Sequence, residues 1–458
     1  MSDETLIPAP VSARARAKGR IGVAFGRRFF QLLLLGLIWL APAFVQPRFV
    51  YAMLAWDLLL LVAWAIDLAK LPRPGQLEVT RAWVSAPALS VKADVSITLR
   101  NHSNSTVVAA VTDKVPCHMR NELATVALKA RGRGESTASY SVTPMARGAA
   151  EIGSAYLRYE SPYHIAQRWA VAPIEQTVRV YPNLDEAKKH AIYLIRSRQI
   201  QLEKRYTRIR GAGREFESLR EYREGDEFRD ICWTASARRA KLVSRIYQIE
   251  RSQVVWIAID CGRLMRAKIG DLTKLDYATT AALSLAQVAL YSGDRVGLLA
   301  YGRGVRERVL PARGGPHLRH IIDGLAEIKE ETAEADHLQA AGALLATQKR
   351  RSLVVWITDL AETAMTPEVV EAASEMMPRH LVLFTAIGQP DLAQTASRKP
   401  ENPEQMYLTT AAQEMMYRRE LLLARLRERG ALAMEVDSRT MSTALVNSYL
   451  EVKQRSQL

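Results

Sequence analysis

The sequence predicts a multidomain chain: an N-terminal transmembrane helical hairpin, an antiparallel β-sandwich, and then a doubly wound α/β domain. Three observations predict it. Two long apolar runs, 29–45 and 49–68, lie near the N-terminus. Short segments that alternate apolar and polar residues at period two fill 77–181. From Val254 onward, continuous Val/Ile/Leu runs of strand length alternate with helical patterns. At 458 residues the chain has room for more than one core.

Residues 1–28 read as a basic cytoplasmic tail, with Arg14, Arg16, Lys18, Arg20, Arg27 and Arg28. Residues 29–69 read as the hairpin. Each apolar run approaches the ~20 residues that a helix needs to cross a bilayer. The first, from Phe29 to Val45, carries no charge, and Gln46-Pro47-Arg48 supplies the turn. Basic residues precede the first run, Lys70 and Arg73 follow the second, and the turn holds Arg48 alone. The positive-inside rule then puts both termini in the cytoplasm and the turn outside. Arg27-Arg28-Phe29-Phe30 with Ala41-Pro42-Ala43 also looks like an export signal, but the flank charge already accounts for the arginines, and a second span follows at once. Asp57 lies within the second span, where a carboxyl needs a hydrogen-bonding neighbour. Asp67, near its cytoplasmic end, is expected to reach Lys70 or water.

Residues 75–183 read as an immunoglobulin-like β-sandwich. Strand-like alternation runs through 77–81, 91–99, 107–111, 136–142 and 177–181, broken by Asn-Ser, Gly and Pro. Arg131-Gly132-Arg133-Gly134 reads as a hairpin turn rather than an RNA-binding element. Residues 184–251 read as a charged helix, 185–205, leading into a segment of unusual composition. From Gly213 to Leu242, charges of both signs alternate with Phe216, Leu219, Tyr222, Phe228, Ile231 and Trp233. That mixture suits a packed seam in which rings bury while arginine forks meet carboxylates. Arg220, Arg223, Arg229, Arg238 and Arg239 would pair with Glu215, Glu221, Asp226 and Asp230. Either the seam is internal, or part of it faces outward as a docking surface. Cys232, between Ile231 and Trp233, reads as a buried thiol.

Residues 252–458 read as the α/β domain. Strands are expected at 254–260, 296–301, 306–310, 353–359, 381–387 and 432–436. Helices are expected at 276–290, 318–328, 338–347, 417–429 and 440–452. In such sheets function gathers beyond the carboxyl ends of the strands, and two strands here end in aspartate, Asp260 and Asp359.

The seam resembles the signature of the domain of unknown function 58 (DUF58) family. Gly213, Glu215, Phe216, Leu219, Arg220, Tyr222, Gly225, Asp226, Arg229, Ile231, Trp233, Ser236, Ala237 and Arg238 carry the resemblance. Cys232 departs from it, standing where the family usually has Asp or Asn. Glu160-Ser161-Pro162-Tyr163 stands where the family tends to have Asp-Pro-Phe-Gly. The resemblance implies a bacterial inner-membrane protein encoded beside MoxR-type AAA+ ATPases. It further implies an adaptor that docks such an ATPase or its client through Glu215, Phe216, Leu219, Arg220, Tyr222, Gly225, Asp226, Arg229, Trp233 and Arg238. The last domain in turn looks like a von Willebrand factor A domain, whose metal site follows its first strand. Here the two serine positions of that site are Gly262 and Leu264, which offer no side-chain oxygen. Asp260 and Asp359 are therefore at most a degenerate Mg²⁺ site. Thr332 and Asp336 are the nearest polar residues in the chain to the threonine that such a site expects.

Other classes are disfavoured. Three scattered cysteines (Cys117, Cys232, Cys261) exclude a disulfide framework and a multi-cysteine zinc site. His317 and His320 have chelating spacing but no third ligand nearby. Gly302-Arg303-Gly304 lacks the ending of a phosphate loop. No nucleophile stands beside a recognisable base, so no catalytic residue and no cofactor are expected. The net charge of +15 favours anionic partners. It is spread over the membrane flanks and the seam, without the aromatic platform of a single-strand binder, and no nucleic acid is expected. The reading is a lipid-anchored, non-enzymatic interaction module. The alternatives are a divalent-metal-dependent hydrolase using Asp260 and Asp359, and a membrane-linked nucleic-acid binder.

Overall fold

The computed structural model describes residue 7 and residues 9–183, 215–223, 228, 231–248, 253–360 and 368–455. The chain divides into two compact units, Met1–Asn183 with Leu325–Lys329, and Leu184–Gly324 with Glu330–Leu458.

The first unit is a sandwich joined to a helical hairpin. Its strands are β1 (Ala13–Arg16), β2 (Lys18–Phe25), β3 (Leu77–Trp83), β4 (Ala93–Asn101), β5 (Val107–Asp113), β6 (Ala124–Ala130), β7 (Glu135–Val142), β8 (Gly148–Ile152), β9 (Ala155–Glu160), β10 (Ala166–Ala172) and β11 (Gln176–Val180). One sheet has the order β1-β3-β4-β7 and the other β2-β10-β9-β5-β6, with β11-β8 as a separate pair. All ladders within these sheets are antiparallel. Alternation does the folding: β6 buries every second residue from Ala124 to Ala130, and β4 does the same with Ala93, Val95, Ile97 and Leu99. These inward faces share one core. A buried ion pair crosses it. Arg81 makes a forked contact with Asp113 and donates to the carbonyls of Ile174 (2.7 Å) and Gly153 (2.8 Å), while the Tyr140 hydroxyl donates to Asp113 at 2.6 Å.

The expected basic tail is not a tail. Residues 13–16 and 18–25 are edge strands, one on each sheet. Ala13 and Ala15 turn toward the core while Arg14 and Arg16 face out, and Arg14 bonds Glu78. The charge pattern that marks a membrane flank is also the period-two pattern of an edge strand.

The hairpin consists of α1 (Arg27–Gly36), a 3₁₀ turn (Leu37–Trp39), α2 (Leu40–Ala43) and α3 (Phe49–Lys70). Among the described residues, α3 is the one helix long and apolar enough to cross a membrane. The first apolar run is instead broken into short pieces. Gly36 lets Trp56 approach so closely that a Cβ there would stand 2.6 Å from its ring, and Pro42 has no N–H to extend the helical ladder. The Trp56 indole donates to the Leu32 carbonyl at 3.0 Å, tying the two arms together.

Asp67 neither reaches Lys70 nor faces water. It is buried, and accepts the Ser161 hydroxyl (2.8 Å) and the Ala166 amide (2.9 Å). The Tyr159 hydroxyl bonds the Pro72 carbonyl at 2.9 Å, and Phe25 stacks on Phe29 and meets Trp64. Helix α3 is thus clamped to the sandwich without a free linker.

The second unit holds the strands β12 (Glu215–Glu221), β13 (Val243–Gln248), β14 (Val254–Asp260), β15 (Lys268–Ile269), β16 (Leu272–Thr273), β17 (Arg295–Tyr301), β18 (Val305–Ala312), β19 (Leu353–Thr358), β20 (Leu381–Gly388) and β21 (Leu432–Asp437). Its helices are α4 (Trp233–Arg239), α5 (Lys274–Tyr291), α6 (Gly315–Glu327, of which 325–327 count with the first unit), α7 (His337–Thr347), α8 (Glu368–Met376), α9 (Pro390–Ser397), α10 (Pro403–Glu428) and α11 (Met441–Gln454). The main sheet has the order β18-β17-β14-β19-β20-β21, parallel except for the edge strand β18. Trp256, Ala258, Val354, Trp356 and Phe384 form a core with Ala340, Leu344, Ala373 and Leu422 on one face. The alternate residues Val255, Ile257, Val355 and Ile357 are equally buried, and α5 packs on β14 and β17. Burial on both faces is why these strands are apolar throughout. The strand order reverses between β14 and β19, so a crevice is expected at their carboxyl ends.

Candidate functional site

The two aspartates meet at that crevice. Asp260 ends β14 and Asp359 follows β19, and both are buried. Each is already occupied by the protein itself. Asp260 accepts the Gly262 amide (2.6 Å) and the Thr358 hydroxyl (2.6 Å). Burial raises its carboxyl to about 6, against the lowering effect of those two hydrogen bonds. Asp359 takes the Lys274 ammonium on one oxygen and Arg419 Nη1 on the other, the latter at 3.0 Å. Lys274 and Arg419 are as buried as Asp359. Arg419 also donates to the Ile387 carbonyl (2.7 Å) and pairs with Glu435 (3.0 Å). Burial pulls the Lys274 ammonium down from its ordinary value, while Asp359 opposes the shift.

Local sequence explains the placement. Thr273 and Asp276 form a capping box that starts α5, and this sets Lys274 as the first helical residue, directed at the strand ends. Arg419 lies on the inward face of α10 with Thr409, Ala412, Leu422, Leu423 and Leu426. The loops over the edge are tight. Cys261 receives the Glu331 amide, Arg263 donates to Ala333, and Asp336 donates to Gly302. A Cβ on Gly302 would fall 2.3 Å from the Glu331 carboxyl carbon. Arg306 bonds Glu331 and holds it below the ordinary carboxylate range.

These residues do not fit a divalent cation. An ammonium and a guanidinium already sit on Asp359, and positions 262 and 264 offer no side-chain oxygen. Among the described residues, no group of three or more His, Cys, Asp or Glu is placed to hold a metal. Thr332 is exposed, and Asp336 caps α7 by accepting the Gln339 amide at 2.8 Å. His317 is buried against the Val296 carbonyl (2.6 Å), whereas His320 faces out. Sequence reasoning missed Lys274, Arg419 and Glu435. The only available signal was a lysine placed directly after a capping threonine.

The seam is only partly what its composition predicts. Its ends pair antiparallel as β12 and β13, with Leu219 opposite Arg245 and Arg220 opposite Ser244. Helix α4 lies between them in sequence. Ile231 and Cys232 are buried, Cys232 as expected, and the Ser236 hydroxyl accepts the Val243 amide at 2.9 Å. Leu219, Arg220 and Tyr222 are half-buried. Phe228 and Trp233, however, are 78% and 66% exposed, so these rings do not bury. Arg238 is exposed as well. Glu221 pairs with Lys241 at 3.1 Å, a residue outside the expected arginine set. For Glu215 and Phe216 only the backbone is described, in β12. Gly225, Asp226, Arg229 and Asp230, like the helix expected at 185–205, lie outside the described residues.

Beside the occupied aspartates, a cleft of ≈ 500 Å³ is lined by Arg263, Leu264, Arg266, Ala267, Lys274, Asp359, Gln389 and Met415. A second hollow of ≈ 330 Å³ shares Gln389 and Met415 with it and continues along α9 and α10.

Residues 218–421 match a family model described as protein of unknown function DUF58. Leu219, Arg220, Tyr222, Gly225, Asp226, Arg229, Trp233 and Arg238 fall inside the match, and Glu215 and Phe216 just before it. The chain is 26% identical over 153 residues to uncharacterized proteins of Mycobacterium bovis and Mycobacterium tuberculosis. That stretch is 33% of this chain and 48% of each relative, so the chain spans about half the length of the curated relatives it matches. Among solved structures, the conserved hypothetical protein BatB of Bacteroides thetaiotaomicron is 13% identical, covering 45% of this chain and 100% of its own, with a TM-score of 0.30. An aerotolerance-related membrane protein of Bacteroides fragilis is 14% identical, covering 44% and 100%, with a TM-score of 0.28. Likenesses this shallow carry no argument.

Proposed function

We propose that the protein is a membrane-anchored, non-enzymatic adaptor whose second unit, of von Willebrand factor A type, docks a partner protein. In this reading both apolar runs enter the inner membrane, with both termini in the cytoplasm. The partner class implied by the family resemblance is a MoxR-type AAA+ ATPase or its client. One observation carries the proposal. At the strand ends, where such a sheet puts its chemistry, Asp359 is neutralised by Lys274 and Arg419, Asp260 is held by the Gly262 amide and the Thr358 hydroxyl, and what remains open is a surface cleft. A buried ion network of this kind holds a scaffold in shape, and within it Asp359 and Lys274 engage each other instead of standing free as base or nucleophile. The exposed Phe228 and Trp233 of the seam add a second contact patch of the residue types that anchor interfaces.

The test is cross-linking of the intact chain in native membranes, followed by identification of the partners. A specific partner lost with Trp233→Ala, while membrane insertion is kept, supports the reading. Turnover of any substrate by the isolated protein, or release of the intact chain from vesicles in alkaline carbonate, overturns it.

A further inference from the structure

The two hollows form one groove with an uneven chemistry. At the strand-end side it is cationic. Arg263, Arg266 and Lys274 line it, with Asp359 as the sole carboxylate, and Asp359 is already shared between Lys274 and Arg419. Arg263 pairs with Glu334 at 3.0 Å. Arg266 and, just beyond it, Lys268 are exposed, and among the described residues no carboxylate is bonded to either. Past Gln389 and Met415 the lining turns apolar, with Leu392, Leu408, Ala411 and Ala412, and Asp391 on the rim.

The apolar end is open to solvent. Leu408 is 58% exposed, and Met406 and Tyr407 beside it are more so. Helix α9, which forms one wall, buries none of its side chains fully. A helix of this length stays folded by packing one face, so a wall with no buried side chain lacks a cover. Methionine, tyrosine and leucine around a shallow trough, next to fixed cations, fit a segment that brings both carboxylates and apolar side chains.

We infer that this groove binds an acidic segment of a partner protein, its carboxylates on Arg266 and Lys268 and its apolar side chains against Leu392, Leu408 and Met415. The inference rests on the adaptor reading and names the chemistry of the partner. Its basis is charge complementarity. Arg266 and Lys268 are bonded to no carboxylate among the described residues, Asp391 being the one acid that shares the hollow with Lys268, and the apolar strip runs directly on from them.

The test pans the full chain, held in phosphatidylcholine nanodiscs, against a pool of random short peptides. Selection should enrich Asp and Glu together with Leu, Phe or Met. The enriched peptides should bind at least about tenfold more weakly to Arg266→Glu/Lys268→Glu and to Leu408→Glu, and more weakly still as salt rises. All three positions are exposed, and unchanged amide exchange in β14 and β19 would confirm that the variants keep their fold. Enrichment without acidic bias, or enriched peptides that bind these variants as well as the parent, would overturn the assignment. Competition by a random oligonucleotide at equal charge would reassign the groove to nucleic acid. Self-association abolished by Leu408→Glu would give it to a second copy. Either result overturns the inference. If cross-linking recovers a partner that the groove variants still hold, the groove inference fails and the adaptor reading stands. If the intact chain holds no partner, the adaptor reading itself fails.

Discussion

Among the described residues, Asp359→Asn removes the one carboxylate bonded to Lys274 and one of two bonded to Arg419. The two cations do not suffer equally. Arg419 keeps the Ile387 carbonyl and Glu435, so its share of the loss is small. The Lys274 ammonium has no other hydrogen-bond partner among the described residues, and the residue is fully buried. Removing one member of a buried pair costs about 3–5 kcal/mol. For a lysine there is also a ceiling, because the ammonium can give up its proton. At pH ~7, deprotonating a group with a reference value near 10.5 costs about 5 kcal/mol, and at pH ~9 about 2 kcal/mol. The destabilisation of Asp359→Asn should therefore be about 3–5 kcal/mol at neutral pH and shrink to about 2 kcal/mol at pH 9. Lys274→Met should cost less, about 1–3 kcal/mol, because Asp359 retains Arg419. Amide exchange of β14 and β19 in the full chain, corrected for intrinsic rates, reads both numbers. A neutral-pH cost under about 1 kcal/mol, or one that does not change with pH, would refute the view that this network holds the strand ends together.

Other expectations are independent of that one. Asp260 sits near 6 in the fold against 3.8 in the open chain. The folded state therefore holds the extra proton, and stability is complete below about 4 and lost as pH rises through about 6. That difference amounts to about 3 kcal/mol, and Asp260→Asn, which can still accept the Gly262 amide, should abolish the slope in an exchange titration of β14. In the sandwich, Asp113→Ala strands the fully buried Arg81 and takes the acceptor from Tyr140. It should cost about 3–5 kcal/mol, seen as faster exchange throughout β3 and β5, and a loss under about 1 kcal/mol would argue against the pair. Asp67→Ala unlatches the Ser161 hydroxyl and the Ala166 amide. Proteolysis between 70 and 77 should become faster while the sandwich core stays protected, and unchanged cleavage would show that the aromatic contacts alone hold the joint.

The parts that were legible from sequence share one property: a single period governs the side chains, and nothing else competes for them. The strands at 254–260, 353–359 and 381–387 are apolar throughout because both faces are covered, and they lie within a residue of where the pattern puts them. Helix 403–428 was read only over its second half. Its first turns expose Met406, Tyr407 and Leu408 and bury little, so the apolar stripe that marks a helix is absent there. Strands β8 and β10 escaped notice because alanine, a weak strand former whose burial is set by neighbours across the sheet, fills much of them.

The site was legible by position and illegible by chemistry. Aspartates at the ends of two central strands point to the crevice from sequence alone, because topology dictates it. What they do there depends on residues far away in the chain: Lys274 on the next helix, Arg419 60 residues beyond Asp359, and Glu435 on the last strand. No local pattern distinguishes a carboxylate that waits for a metal from one that already faces an ammonium, since both need oxygen at the same place. The tail shows the same limit in reverse. Alternating Ala and Arg at 13–16 satisfies the charge rule for a membrane flank and the period of an edge strand at once. The deciding fact is that β3 offers an open ladder to pair with, and this belongs to the fold and not to the segment. The signature seam combines both problems. Its buried Ile231 and Cys232 obey periodicity, but Phe228 and Trp233 remain outside. Phe228 stacks on Tyr222 at the ribbon's edge, so its place is set by one neighbouring ring and not by the burial that its apolar character predicts.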